Sequence, residues 1–267
     1  MASVLPLSVQ SDPAPWRRAL LEAIVPLVLI AAWWFTSAGS TALYFPALSR
    51  ILDSFVQDWF SAAFVTDVLP TLGRLFIGLL ISAVLGIGIG VVLGLLPVLS
   101  DIVAPVTEFF RAIPGVALLP AALLLFGIGP GMPIALIAYG TVWPILLNTI
   151  DGVRGIEPGV RDVAASYRIR FRERLFMIIL PAASPQIMAG LRTALAIGVT
   201  VIVFAEMIGS TNGIGFQILQ AQRSFAVPRM WAGIVFLGIL GFVLNLLFWA
   251  LESSVLRWHR NMRAVNR

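Results

Sequence analysis

The segment DGVRGIEPGVRDVAASYRIRFRERLFMIILPAASPQ, residues 151–186, is a polar stretch within a strongly apolar chain. Of the 267 residues in the chain, 59% are hydrophobic and only 12% are charged. This composition is too apolar for a soluble domain of such length and is typical of an all-α protein that crosses a membrane several times. Membrane-spanning helices are therefore expected to hold the polar segment outside the bilayer.

The first half of the polar segment predicts a short helix from Val160 to Tyr167. Pro158 precedes it, and proline is well tolerated at the start of a helix. Ala164 and Ala165 give this helix a face with almost no side chain. Such a smooth face is expected to enter a groove on a partner.

The second half of the segment predicts another short helix, from Arg170 to Leu180. It begins with arginines and turns apolar before reaching Leu180 and Pro181. Because proline removes a helix hydrogen bond and its ring clashes with the preceding turn, a break is expected at Leu180-Pro181. The segment is thus predicted to be two short helices joined by an elbow.

The charged residues limit the chemistry of this chain. All 18 basic residues are arginine, and there is no cysteine. A nucleotide-binding P-loop requires lysine, so any ATP hydrolysis must occur on another subunit. Disulfides and thiolate metal sites are excluded as well. The arginines flank apolar spans, as the positive-inside rule describes, which favours a membrane protein over a nucleic-acid-binding one.

The apolar runs predict six membrane-spanning helices, at residues 19–38, 72–96, 112–128, 132–150, 187–208 and 230–251. Residues 1–18 are expected to be a cytoplasmic lead, 64–251 a five-helix core and 252–267 a basic tail. The first apolar run resembles a signal peptide, but it exceeds the usual ~7–15 residues and is expected to be retained. With 14 of the 18 arginines on the side of segment 151–186, both termini are predicted to be cytoplasmic.

Small residues recur at every fourth position of the second predicted span. They are Gly78, Ser82, Gly86, Gly90 and Gly94. This spacing places them on one helix face, where another helix backbone can approach closely. A glycine-rich nucleotide loop is disfavoured, because no strand precedes these residues.

Four residues within or beside the spans are candidates for the solute pathway or its gate: Arg111, Pro114, Arg192 and Glu206. A proline inside a span frees a carbonyl group, so Pro114 marks either a polar route or a kinked packing helix. Arg192, like Arg74, lies near a span end and is expected to extend to the interface. Glu206 is expected either to line the gate or to bond to the loop 209–215.

Residues 162–181 resemble the EAA loop of binding-protein-dependent ABC transporter permeases. The matching positions are Asp162-Val163-Ala164, then Arg168, then Ile179-Leu180-Pro181. Asp162 shortens the usual glutamate and Val163 enlarges a face that is usually bare. Arg168 replaces a glycine, so a left-handed turn there would be strained.

Further segments are similar to the nitrate, sulfonate and taurine branch of these permeases. They are Phe110-Arg111-Ala112-Ile113-Pro114, Ala205-Glu206-Met207-Ile208-Gly209 and Arg257-Trp258-His259-Arg260. Together the matching segments extend over roughly residues 64–260. The resemblance implies the membrane domain of a type I ABC importer in the bacterial inner membrane, which moves a small oxyanion such as nitrate, taurine or an alkanesulfonate.

The resemblance also implies partners. A second permease subunit, identical or related, would complete the pathway, and an extracytoplasmic binding protein would deliver the solute. Two cytoplasmic ATPase subunits would bind ATP and Mg, whereas this chain would bind no cofactor. The residues implied in ATPase coupling are Val160, Asp162, Val163, Ala164, Ala165, Ser166, Arg168, Leu180 and Pro181.

Two other functions compete with an importer subunit. A secondary transporter or channel that works without ATP would need no alanine-faced cytoplasmic helix. An intramembrane enzyme would need a nucleophile with a base, or a metal cluster, within the spans. The predicted spans contain neither cysteine nor histidine, so no catalytic or metal-binding residue is predicted.

Overall fold

A computed structural model describes residues 15–59 and 61–257 of the chain. The predicted lead up to residue 14 and the tail from residue 258, including His259, lie outside this range, as do the side chains of residues 15–23, 161 and 165. The described part is all-α. Its helices are α1 (Pro15–Ser37), α2 (Leu48–Trp59), α3 (Leu69–Leu95), α4 (Pro97–Ala112), α5 (Leu119–Phe126), α6 (Gly131–Arg154), α7 (Pro158–Ser166), α8 (Phe171–Arg174), α9 (Leu180–Gly209), α10 (Ile214–Arg223) and α11 (Val227–Val255).

Four stretches of the described chain are long and apolar enough to cross a membrane: Phe64–Leu95, Gly131–Arg154, Phe171–Gly209 and Val227–Val255. The pair α4 and α5 adds a fifth if it is counted as one span bent by 77°. α1 contributes a shorter apolar helix, Ile24–Ser37. The predicted count of six is therefore matched only if α1 and the bent pair are both included.

The third predicted span differs most from the sequence-based expectation. A single helix over 112–128 with a cytoplasmic connection over 97–111 was expected, but 97–112 is itself the helix α4. The chain bends at Ile113 and Pro114, which are both extended. Pro114 has no N–H to continue the helix, and the Phe110 carbonyl accepts hydrogen bonds from the Ile113 N–H at 3.2 Å and from the Tyr139 hydroxyl at 2.6 Å. The carbonyl at the break therefore keeps hydrogen-bond donors, as irregular backbone in a membrane protein requires.

The small residues of α3 pack against α6 with the same period of four on both helices. A Cβ atom built at Gly78, Gly86, Gly90 or Gly94 would lie 2.6–2.9 Å from the Cβ of Ile137, Ile145, Thr149 or Val153 respectively. Midway along the contact, the Thr141 hydroxyl donates to the Ser82 hydroxyl at 2.8 Å. The predicted close packing along this face is confirmed.

Loops at the two ends of the bundle fix its direction. The Gly129 N–H, between α5 and α6, donates to the Gly209 carbonyl at the end of α9. Both loops therefore lie at one end, which we call the α10 end. The chain crosses back along α6, so α7 lies at the opposite end, the α7 end.

Helix α2 packs against α11. Trp59 of α2 stacks on Phe236 of α11 with 4.5 Å between ring centres, which holds α2 against α11.

Candidate functional site

Helix α7 presents an apolar face to the outside of the molecule. Val160 and Val163 of the helix, and Tyr167 directly after it, have exposed fractions of 41%, 58% and 79%. Their spacing of three and four residues places them on one side of the helix. Asp162 and Ser166 are exposed beside them, and the Ser166 hydroxyl donates to the Asp162 carbonyl at 2.9 Å.

The alanine face of α7 does not point outward at Ala164. This residue is only 2% exposed and lines a small cavity with Leu95 at the end of α3 and Ile179 near the start of α9. The expected smooth docking face is thus corrected at this position, since its small side chain lets α7 lie close to its own bundle. The side chain of Ala165 lies outside the described residues.

The end of α7 adopts the left-handed turn that the sequence indicated. Arg168 has a φ of 48°, and the Ile169 N–H donates to the Ala164 carbonyl at 3.1 Å. A 6→1 bond closing on a left-handed residue is the helix-ending pattern called a Schellman motif. Glycine adopts this conformation without cost, whereas arginine is strained there.

The expected break at Leu180-Pro181 is absent. The helix runs without interruption from Phe171 to Gly209, and a π-helical turn at Leu175–Ile179 precedes the proline. Within this turn the Leu180 N–H donates to the Leu175 carbonyl, five residues back. A π-turn widens the hydrogen-bond ladder locally, which lets Pro181 join the helix. The elbow lies instead between α7 and α8, at residues 167–170.

The α10 end contains a buried ionic cluster around Glu206. This side chain is fully buried, and its Oε1 lies 2.7 Å from a terminal guanidinium nitrogen of Arg74, which is also buried. The Thr71 hydroxyl lies 2.8 and 2.9 Å from the two carboxylate oxygens. Arg74 therefore does not extend to the interface as expected; it joins α3 to α9.

The same cluster holds the first turn of α10. Three successive N–H groups, of Gly213, Ile214 and Gly215, donate to Asp67 Oδ1 at 2.8 Å, Thr71 Oγ1 at 3.0 Å and Glu206 Oε2 at 3.1 Å. N–H groups at a helix start have no partner within the helix, and the helix dipole makes that end positive. Two carboxylates placed there stabilise α10 against the bundle.

Glycine is required where α10 meets Glu206. Gly213 has a φ of +119°, and a Cβ atom there would lie 2.4 Å from the Glu206 carboxylate. A Cβ atom at Gly215 would lie 2.4 Å from the Val203 carbonyl oxygen. Residues 213 and 215 are therefore glycines because the α10 backbone lies too close to α9 for a side chain at either position.

Asn212 fastens the loop before α10 to the same helices. Arg74 donates to the Asn212 backbone carbonyl at 3.0 Å and also to its side-chain oxygen. The Asn212 side-chain amide donates to the Thr66 carbonyl at 3.0 Å. Of the two roles expected for Glu206, bonding to the loop is the one that the structure contains. A role in gating stays a prediction.

The other pathway candidates lie apart from this cluster. Arg192 pairs with Glu252 of α11, and Arg111 pairs with Glu108 at 2.9 Å on the exposed side of α4. Pro114 lies at the bend between α4 and α5. The structure does not bring these three residues together with Glu206.

Sequence reasoning missed Asp67, Thr71 and Asn212. Asp67 is only 2% exposed and also accepts hydrogen bonds from Thr66 and Gln217. A signal was present, because Asp67, Thr71 and Arg74 are spaced four and three residues apart and so share one face of an apolar helix.

Comparisons with known proteins agree with this architecture. Residues 78–257 match the family described as binding-protein-dependent transport system inner membrane component. A taurine transport system permease protein of Escherichia coli is 30% identical over 250 residues, covering 91% of this chain and 91% of that protein. A bicarbonate transport system permease protein of Synechococcus elongatus is 31% identical, covering 91% and 92%. A nitrate import permease protein of Leptolyngbya laminosa is 28% identical, covering 90% and 88%.

Among solved structures, a methionine ABC transporter in an inward-facing conformation matches with a TM-score of 0.62. The match covers 72% of this chain and 96% of that chain at 20% sequence identity, a level that concerns the fold alone. The family match extends over more than half of the chain. The protein therefore belongs to the binding-protein-dependent transport system inner membrane components, the multi-pass permeases of ABC importers, and has the membrane-domain fold of a type I importer.

Proposed function

We propose that this protein is the transmembrane subunit of an ATP-driven importer for a small oxyanion, coupled through α7 to separate ATPase subunits. The observation that carries the proposal is the exposed apolar face at α7, formed by Val160 and Val163 together with Tyr167 at the end of the helix. An amphipathic helix that shows an apolar face outside the bundle is suited to a groove on another protein. The chain has no lysine and so no P-loop, which assigns ATP and Mg to that partner.

The orientation follows from the arginines. Segment 151–186 and the arginine-rich end of the chain share one side in the predicted topology, and that side is cytoplasmic by the positive-inside rule. The α7 end would then meet the ATPase subunits, and the α10 end would face the extracytoplasmic binding protein. A second permease, identical or related, would complete the pathway.

Force from the ATPase has a continuous route through the subunit. A push on α7 would pass through the turn at 167–170 into the unbroken helix from Phe171 to Gly209. Near the far end of that helix, Glu206 is tied to Arg74 and Thr71 of α3. Rigid helices joined in this way would rock as a unit, as alternating access requires.

The solute class rests on the relatives. Their names specify taurine, nitrate and bicarbonate, and all three solutes carry a small oxyanion group. Arg74, Arg111 and Arg192 are each paired with a carboxylate, so none of the three offers an unpaired cation for an anion. Selection among oxyanions is therefore assigned mainly to the binding protein.

Native mass spectrometry of the complex purified in mild detergent tests this proposal. We expect two permease subunits with two ATPase-sized subunits, and the permease masses will distinguish a homodimer from a heterodimer. A Val163→Asp variant should lose the ATPase subunits, because a buried unpaired carboxylate is costly. Gly159→Ala is the control, since it adds no charge and a Cβ atom at Gly159 meets nothing within 4 Å in this subunit. A permease that purifies without an ATPase partner and transports solute without ATP would overturn the proposal in favour of a secondary carrier.

A further inference from the structure

A cavity of about 450 Å³ opens at the α10 end of the molecule. Its walls come from the end of α2, from Ser61 and Ala63, from α10, and from the start of α11. The residues that line it are largely polar: Asp58, Trp59, Ser61, Ala63, Gln217, Gln220, Ala221, Arg223, Ser224 and Arg229. None of these residues belongs to the buried Glu206 pair or to α7.

The charge of the cavity is positive. Arg229 holds Asp58 with two hydrogen bonds of 2.8 and 3.0 Å, so these two side chains neutralise each other. Arg223 is exposed and belongs to none of the ion pairs formed among the described residues. Trp59 also lines the cavity, and its buried indole N–H has no hydrogen-bond acceptor among the described residues. The cavity therefore offers one unbalanced cation and is suited to an acidic group.

The shape of the cavity favours a protein occupant over a free solute. Sites for small molecules usually enclose most of the ligand surface, whereas this cavity is only half enclosed. A small oxyanion held by Arg223 would remain largely in water. An acidic side chain that projects from a protein surface can fill the opening while the rest of that surface covers the exposed rim.

Helix α10 connects this cavity to the buried cluster. Arg223 is its last residue, and its first turn is held by Asp67, Thr71 and Glu206. Gln217 belongs to both sites, because it lines the cavity and its amide donates to Asp67 Oδ2 at 3.2 Å. A displacement of Arg223 would therefore be transmitted to α3 and α9 through the single short helix α10.

We propose that this cavity is the docking site for an acidic side chain of the solute-loaded binding protein, with Arg223 as its ionic partner. Helix α10 then transmits docking to the buried cluster. This inference rests on the proposed function, because it takes the α10 end to be extracytoplasmic. Electrostatic pairing of this kind governs the rate and specificity of docking and weakens as salt is added.

The test uses the whole permease–ATPase complex in nanodiscs and the binding protein of the same transporter, loaded with its solute. ATP hydrolysis is measured against the binding-protein concentration for wild type, Arg223→Ala and Arg223→Glu. We expect the half-saturating concentration to rise several-fold for the alanine variant and roughly tenfold or more for the glutamate variant, because reversal places like charges together. The control is Arg50→Glu, which reverses an exposed arginine of α2 outside the cavity and should stay within about twofold of wild type.

Three outcomes would overturn the docking proposal. They are an unchanged half-saturating concentration in both Arg223 variants, an equal change in the Arg50 variant, or a normal dependence on binding protein with weaker transport of free solute. Copurification of the ATPase subunits and the melting temperature of each complex show whether a variant has assembled. Failure of the proposed function would appear differently, as a wild-type complex without ATPase subunits.

Discussion

Glu206 is a fully buried carboxylate whose charge is balanced by Arg74 at 2.7 Å. Burying two charges is costly, so such a pair adds little net stability over an apolar pair of similar shape. Removing one of the two charges is strongly destabilising, because the remaining charge stays buried without a partner. The pair therefore fixes how α3, α9 and α10 fit together, and that arrangement is sensitive to change at either residue.

Replacing Glu206 with glutamine should destabilise the protein by about 3–5 kcal/mol, since Arg74 loses its counter-charge. The new amide group would also face the donors around it. The free energy of unfolding in mixed detergent micelles measures the loss. Glu108→Gln is the matched control, because the Glu108–Arg111 pair is exposed and should be worth less than about 1 kcal/mol. Equal stability of the two variants would show that the buried pair does not hold the helices.

A substitution at Arg168 is expected to stabilise the protein instead of destabilising it. Its left-handed conformation, with φ at 48°, costs an arginine roughly 1 kcal/mol that glycine does not incur. Arg168→Gly should therefore slow hydrogen exchange of the α7 amides by about fivefold. Arg170 has a φ of −59°, so Arg170→Gly relieves no strain and should bring no added protection. Faster exchange in Arg168→Gly would contradict a strained end to α7.

Single residues were predictable where local geometry decides. The left-handed turn at Arg168 followed from the position of a missing glycine. The Glu206–Arg74 pair did not follow, because the two residues are separated by 132 positions in sequence. Ala164 was assigned to the wrong side of α7, since sequence alone does not show which face of a short helix lies on its own bundle.

Among the helix contacts, the one between α3 and α6 is the most directly predictable from a sequence pattern. Glycine at every fourth position lets the two backbones approach, and the partner residues of α6 repeat with the same period. Close packing of this kind is a main source of helix association in a membrane, where the hydrophobic effect does not drive one helix onto another.

Gly90→Ala tests this contact. The added Cβ atom would lie 2.6 Å from Thr149 Cβ, and overpacking of that kind typically costs 1–3 kcal/mol. The control lies two residues away on the same helix, because a Cβ atom at Gly88 meets nothing within 4 Å. We expect the melting temperature to fall for Gly90→Ala alone. A comparable fall for Gly88→Ala would point to helix flexibility, not packing, as the role of the glycines.

Elements that depend on irregular backbone were predicted less well. Hydropathy located the apolar runs, but it did not show that α4 and α5 form one pass bent by 77°. Proline signals were also ambiguous. Pro114 coincides with a break at which the Phe110 carbonyl accepts from Ile113 and Tyr139, whereas Pro181 follows a π-turn inside a continuous helix. The outcome at each proline depends on tertiary neighbours that the local sequence does not specify.

For the whole molecule, composition and the spacing of a few motifs were sufficient for the all-α membrane fold and the permease family. The buried cluster at the α10 end and the cavity beside it required the three-dimensional structure, because each combines residues from three or more helices. With the exposed face of α7, they are the basis for the proposed contacts of α7 with the ATPase and of α10 with the binding protein.

In the proposed function, ATP acts through α7 to drive transport by this subunit. Uptake of labelled taurine, nitrate, bicarbonate and an alkanesulfonate into proteoliposomes tests it most directly, with the permease, its ATPase and its binding protein present and ATP either enclosed or omitted. We predict uptake of at least one of these oxyanions only with enclosed ATP, and loss of that uptake in Val163→Asp but not in Gly159→Ala. Uptake that continues without ATP or without the ATPase subunits would contradict the claim.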